Sequence, residues 1–222
     1  MKFFLDTANL TDIHWAVQAG LIDGVTTNPS LMAKDVGDIE PEDVIREICS
    51  IVDGPVSAEV VAVEADSMYE EGRALAALAD NIVVKIPMIE DGLVATRKLA
   101  HDGINVNMTL CFSSLQCLVA AKAGARYVSP FVGRVDDVGQ EGMTIISEAR
   151  QIFDNYGIDT EILAASMRHP RHVAEAALIG ADVATIPTAV LKQMLLHPLT
   201  DRGLDKFLND WGKVKSRFKT TA

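Results

Sequence analysis

Aromatic residues make up only 5% of this 222-residue chain although 49% of it is hydrophobic, so the core has to be built from Val, Ile, Leu and Ala. Positive charge is also short. A net charge of −11 argues against nucleic acid or an anionic membrane as partner, since both need a basic face. It leaves room for a phosphorylated metabolite, which a few local arginines can hold. Cys49, Cys111 and Cys117 are odd in number and have no CxxC spacing, so buried free thiols are expected rather than a metal site. There is no run of 18 apolar residues and no charged-then-apolar leader with a small-residue cleavage site; a soluble cytoplasmic protein is expected. GxGxxG and GxSxG are both absent, which disfavours a dinucleotide fold and a serine hydrolase. Val132–Gly142 holds three glycines without EF-hand spacing and reads as a loop. His169-Pro170-Arg171-His172 has a zinc-capable spacing but no carboxylate cluster beside it, and reads as a surface patch at a helix start. Lys213–Lys219 reads as a solvated tail.

What is present is a regular alternation. Strand-like runs fall near Lys2–Asp6, Gly24–Asn28, Pro55–Val60, Ile82–Ile86, Ile104–Thr109, Tyr127–Phe131, Glu161–Ser166 and Asp182–Ile186. Amphipathic stretches such as Pro41–Val52, Ser67–Ala79, Asp91–Ala100 and Leu115–Ala123 lie between them. Eight strand-helix alternations without a Ser/Gly/Pro-rich linker predict one α/β domain over residues 1–222, a closed (β/α)8 TIM barrel; a doubly wound open sheet is the alternative. About 220 residues is near the small end for such a barrel, so its loops must be short. A further C-terminal helix is expected at about 203–218. Its Leu204, Phe207, Leu208 and Trp211 share one face, which must cover this subunit or a neighbour.

Lys85 closes the run Asn81-Ile82-Val83-Val84-Lys85-Ile86-Pro87, a buried strand of branched residues where an ammonium is costly unless paired or readily deprotonated. Two readings fit: a strand-end lysine reaching solvent, or an amine activated for attack on a carbonyl. Residues two apart in a strand face one side. Thr26 with Asn28, Ser57 with Glu59, Asn107 with Thr109 and Ser166 with Arg168 are such polar pairs, while Asp6, Ser129 and Phe131 end other strands. Singly each has an ordinary account: Asp6 or Asn28 as a helix cap, Thr109 as a turn residue, Arg134 and Arg168 as solvated loop residues. Capping alone does not explain seven strand ends that place polar groups in one direction, the end at which barrel active sites form. Imine chemistry at Lys85 would need a positioned water, which Glu59 and Thr109 can hold, and a base, for which Asp6 is a candidate. Asn28 and Asn107 suit sugar hydroxyls. Arg134, Ser166 and Arg168 suit a phosphate.

Three segments resemble the transaldolase family: Phe4-Leu5-Asp6-Thr7-Ala8-Asn9, Gly24-Val25-Thr26-Thr27-Asn28-Pro29-Ser30 and Val83-Val84-Lys85-Ile86-Pro87. The resemblance runs over essentially the whole chain and is nearest to the short members, which include fructose-6-phosphate aldolases. It implies a class I aldolase barrel without metal or organic cofactor. It also implies transfer of a dihydroxyacetone unit between sugar phosphates in the non-oxidative pentose phosphate pathway. Lys85 would be the nucleophile, Asp6 the acid/base, and Glu59 with Thr109 the holders of the catalytic water. Asn28, Asn107 and Ser129 match sugar-contacting positions, and Arg134, Ser166 and Arg168 the phosphate clamp. The aldolase branch typically has Gln, Tyr and small or apolar residues where this chain has Glu59, Phe131, Asn107 and Ser129, so the transaldolase branch is implied. An aldolase releasing free dihydroxyacetone and a non-catalytic sugar-phosphate-binding protein are the alternatives. The resemblance further implies a homo-oligomer, a pentamer or decamer, with the C-terminal helix reaching a neighbour.

Overall fold

A computed structural model describes residues 1–35 and 39–214. Along the chain lie β1 (Lys2–Asp6), α1 (Leu10–Gln18), β2 (Gly24–Thr26), α2 (Pro29–Asp35), α3 (Pro41–Ile51), β3 (Val56–Glu59), α4 (Ala65–Ala76) and β4 (Ile82–Pro87). Then come α5 (Glu90–His101), β5 (Val106–Cys111), α6 (Ser114–Ala123), β6 (Tyr127–Pro130), α7 (Val132–Asp136) and α8 (Met143–Tyr156). The remainder is β7 (Glu161–Ala164), α9 (Pro170–Ile179), β8 (Val183–Ile186), α10 (Thr188–Met194) and α11 (Pro198–Val214). The strands pair in parallel in sequence order, and β8 returns to β1, so the sheet closes into a barrel. The open-sheet alternative is thereby excluded. Among the described residues no helix is long and apolar enough to cross a membrane.

Strand alternation divides the core in two. Leu5, Val84, Val128, Ile162, Ala164 and Ala184 point outward into the layer between sheet and helices. Their neighbours Phe4, Val83, Tyr127, Leu163 and Val183 point inward and plug the lumen. Gly24 stands beside Phe4 in register, and a Cβ there would lie 2.7 Å from the Phe4 ring, so the missing side chain makes room for that plug. Two residues further along the same strands the inward positions are Asp6, Lys85, Ser129, Ala165 and Thr185. The lumen therefore turns from apolar to largely polar within one step of the pleat, toward the C-terminal strand ends.

Several expected boundaries move, each for a local reason. β2 stops at Thr26 because Asn28 Oδ1 accepts the Leu31 amide and starts α2. β5 runs on to Cys111 past a register shift, with Leu110 at φ 58°. β7 stops at Ala164, and Ser166 beyond it is left-handed at φ 59°. Val132–Gly142, expected as a loop, begins with the helical turn α7, so Arg134 sits on a helix. His172, expected at the surface, is buried at 7% exposure where α9 packs against the rest. Cys111 and Cys117 are buried and Cys49 partly so, all three unbridged; burial pushes the Cys49 thiol up to about 11. The C-terminal helix begins at Pro198, earlier than 203, and the expected residues 215–218 lie outside the described residues. So does most of Lys213–Lys219.

Candidate active site

Lys85 is inward on β4, in register with Glu59 on β3 and Asn107 on β5. Its Nζ lies 2.9 Å from Glu59 Oε2 and donates to the Thr27 carbonyl at 3.0 Å. The side chains of the pair are 7% and 14% exposed, so the ammonium does not reach solvent. Pairing, rather than a route to water, is how this strand tolerates a lysine.

Two polar chains flank it. In one, the Thr26 hydroxyl donates to Asp6 Oδ1 at 2.8 Å and, with that proton committed, accepts from Thr185. Burial pushes the Asp6 carboxyl up, while the Lys85 charge and the Thr26 hydroxyl pull it down; burial wins. In the other, Ser129 donates to Asn107 Oδ1 at 2.7 Å, and Asn107 Nδ2 donates to Ser57 Oγ at 3.1 Å. Asn107 is fully buried behind this network. Thr109 Oγ1, one step above Asn107 on β5, has no hydrogen-bond partner among the described residues, an uncommon state for a buried hydroxyl.

A cavity of about 400 Å³ opens above these groups, lined by Asp6, Asn28, Lys85, Ser129, Phe131, Arg134, Ser166 and Arg168 together with Thr26, Ala165, Met167, Thr185, Pro187 and Val190. Eight of the eleven expected site residues thus share one wall. Glu59 borders a second, more apolar cavity of about 570 Å³ between α2, α3 and α4 and meets the first through Lys85. Asn107 and Thr109 stand behind the lining. Asn28 spends its oxygen capping α2, which leaves its amino group for the cavity. The Arg134 guanidinium lies 4.9 Å from the Phe131 ring centroid, and Arg168 pairs with Asp137 at 2.7 Å. Backbone bonds from Val132 and Gly133 to the carbonyls of Ala165 and Ser166 bind α7 to the end of β7, which brings the two arginines to one rim. Sequence reasoning missed Thr185. The signal was available: Thr185 follows Val183 by two, as Lys85 follows Val83.

The arrangement sets a paired amine and a buried carboxyl beside one cavity, with two guanidinium groups at its rim, a set suited to a carbonyl compound that carries an anionic group. Comparison with known proteins points the same way. The profile of the family described as Transaldolase/Fructose-6-phosphate aldolase matches residues 3–218. A protein of Desulfosudis oleivorans named "Probable transaldolase" is 60% identical over 215 residues, covering 97% of this chain and 100% of that one. Proteins with the same name from Thermodesulfovibrio yellowstonii and Methanococcus maripaludis (strain C5) are 57% and 59% identical, covering 97% and 95% of this chain and 100% and 97% of theirs.

Proposed function

Because this chain belongs to the transaldolase/fructose-6-phosphate aldolase family, we propose that it is a transaldolase moving a dihydroxyacetone unit between sugar phosphates. The donor is sedoheptulose 7-phosphate or fructose 6-phosphate, and the acceptor glyceraldehyde 3-phosphate or erythrose 4-phosphate. The observation that carries this reading is the buried Lys85–Glu59 pair facing Asp6 and a cavity rimmed by arginines. Glu59 is placed to take the proton from the ammonium, after which the free amine attacks the ketose carbonyl. The carbinolamine loses water, for which Glu59 and the Thr109 hydroxyl, which has no partner among the described residues, supply proton and anchor. In the resulting iminium Asp6 removes the proton of the C4 hydroxyl, the C3–C4 bond breaks, and its electron pair passes to the imine nitrogen as an enamine. An aldehyde acceptor reverses these steps.

Phe131 supports transfer over simple cleavage. It lines the cavity and carries no hydroxyl to protonate the enamine, so that intermediate waits for an acceptor. The names of the relatives point to the same branch. We read the chain as a single cytoplasmic domain that assembles into a ring-shaped homo-oligomer through α11, whose Leu204, Phe207 and Leu208 are 56–70% exposed on the barrel's own surface.

Borohydride reduction with fructose 6-phosphate tests the mechanism: a mass adduct on the peptide holding Lys85 is expected, and an adduct elsewhere or none would overturn it. Incubation with fructose 6-phosphate, with and without erythrose 4-phosphate, tests the branch. Sedoheptulose 7-phosphate should form faster than free dihydroxyacetone is released.

A further inference from the structure

His172 is the largest departure from the expected surface, and its surroundings give it a task. Its Nδ1 accepts the backbone N–H of Arg168 at 3.3 Å, and its Nε2 lies 3.1 Å from Asp136 Oδ2. Asp136 closes α7, two residues after Arg134, and its other oxygen accepts the Gly142 amide at 2.8 Å. One imidazole therefore spans the two pieces of chain that carry the rim arginines: α7, and the segment after β7. Nothing in the reaction proposed above uses it.

The two contacts admit one form of the ring. Nδ1 can accept only if it carries no proton, and Nε2 can approach a carboxylate closely only if it carries one, so the side chain is the neutral Nε2–H tautomer. The groups facing it are Asp136 from α7, Arg168 from the preceding segment, His169 at the cap of its own helix and Glu175 within that helix. Burial, the His169 ring (centroids 3.8 Å apart) and Arg168 together outweigh the two carboxylates and pull its pKa below the ordinary histidine value. The neutral form is thus the one that the environment favours at neutral pH. Protonation on Nδ1 would break the bond to Arg168.

We propose that His172 is a positioning residue of the anion subsite, setting the separation of Arg134 and Arg168 through one neutral imidazole that accepts from the Arg168 amide and lies against the Asp136 carboxylate. This rests on the reading of the arginine rim as a phosphate site. A ring that sets the rim alone affects only substrates that reach it, whereas a ring that merely holds the fold affects all substrates alike.

Calorimetry on the full chain, comparing fructose 6-phosphate with unphosphorylated fructose for wild type, His172→Phe and His172→Asn, separates the two. His172→Phe should weaken fructose 6-phosphate about tenfold, the scale of one mis-set charged hydrogen bond, and leave fructose within about twofold. His172→Asn, whose carbonyl can replace Nδ1 toward Arg168, should recover part of the loss. Transfer kinetics should show the same change in KM with kcat nearly constant. Equal weakening of both sugars, or no weakening of the phosphorylated one, would overturn the proposal. Should neither variant fold, nitrogen NMR of the wild-type ring decides: the Nε2–H tautomer at neutral pH is expected, and the Nδ1–H tautomer or an imidazolium refutes it. If the wild type fails to transfer between sugar phosphates, the function proposed above fails, yet the calorimetric comparison still judges His172.

Discussion

Asp6 shows at the scale of one residue how the site is set against the fold. Burial raises its carboxyl above the ordinary value, so the folded chain binds that proton more tightly than the unfolded chain does. The stability this contributes is fully present below the ordinary carboxylate value and is lost as pH rises through the raised one. At neutral pH the ionised carboxylate therefore works against folding. Asp6→Asn, which can still accept from Thr26, should melt higher than wild type at pH 7, with the gain shrinking toward pH 4, while transfer activity collapses. A variant that melts lower at pH 7 would show that the Lys85 charge outweighs burial. Phe131→Tyr belongs to the same scale. A hydroxyl beside the enamine supplies a proton, so release of free dihydroxyacetone without acceptor should rise, as product analysis would show. Replacing Arg134 or Arg168 with Ala should weaken phosphorylated substrates by roughly 1.5–3 kcal/mol, the usual worth of a charged hydrogen bond, and spare unphosphorylated analogues. For Arg168 the pairing with Asp137 competes with the ligand, so its loss should lie toward the lower figure.

Between elements, the joint of α7 with β7 is the tightest feature of the rim. A Cβ on Gly133 would lie 2.3 Å from the Ser166 carbonyl and 2.6 Å from Arg168 Cγ. The first of these neighbours is backbone and cannot swing aside, so an added methyl must push the two elements apart. Gly133→Ala should lower the melting temperature, by an overpacking cost of about 1–3 kcal/mol, and raise the KM for sugar phosphates at the same time. Thermal melts with steady-state kinetics check both, and an unchanged KM would separate this joint from the phosphate rim. Ser166, left-handed at φ 59° without being glycine, sits at the same joint. Such a backbone is costly, and here the bonds from Val132 and Gly133 hold it in place.

At the scale of the whole molecule the proposed assembly rests on the exposed face of α11. It has no buried residue, and Leu204, Phe207, Leu208 and Trp211 are 56%, 70%, 60% and 42% exposed. Leu196 and Leu199 extend the same exposure to 75% and 64%. Covering the four side chains of the helix is worth roughly 6–10 kcal/mol, and α10 already completes the barrel's last unit. Light scattering should find an oligomer for the full chain and a smaller species for a chain ending near Leu199. A monomeric full-length protein would refute the ring, and a truncated chain that keeps its assembly would clear α11 of the role.

The sequence by itself determined the alternating α/β plan, with a closed barrel as its leading reading, and the direction in which its chemistry lies. Repeated strand and helix periods leave a parallel sheet few ways to close, and a period of two assigns each strand residue to lumen or outer layer without further knowledge. Lys85, Asp6 and Ser129 were legible for that reason, whereas the arginines, beyond the strands, were read from charge and resemblance. Partners across the lumen were not, because they depend on the register between strands and on how residues far apart in sequence face one another. Only the tertiary structure joined Lys85 to Glu59, ran a hydroxyl chain from Thr185 to Asp6, and left Thr109 without a partner among the described residues. It also turned an expected loop into α7 and buried His172 between two arms whose contact no local pattern records. Local periodicity fixes which way a side chain points, while packing over long sequence separations decides what it meets.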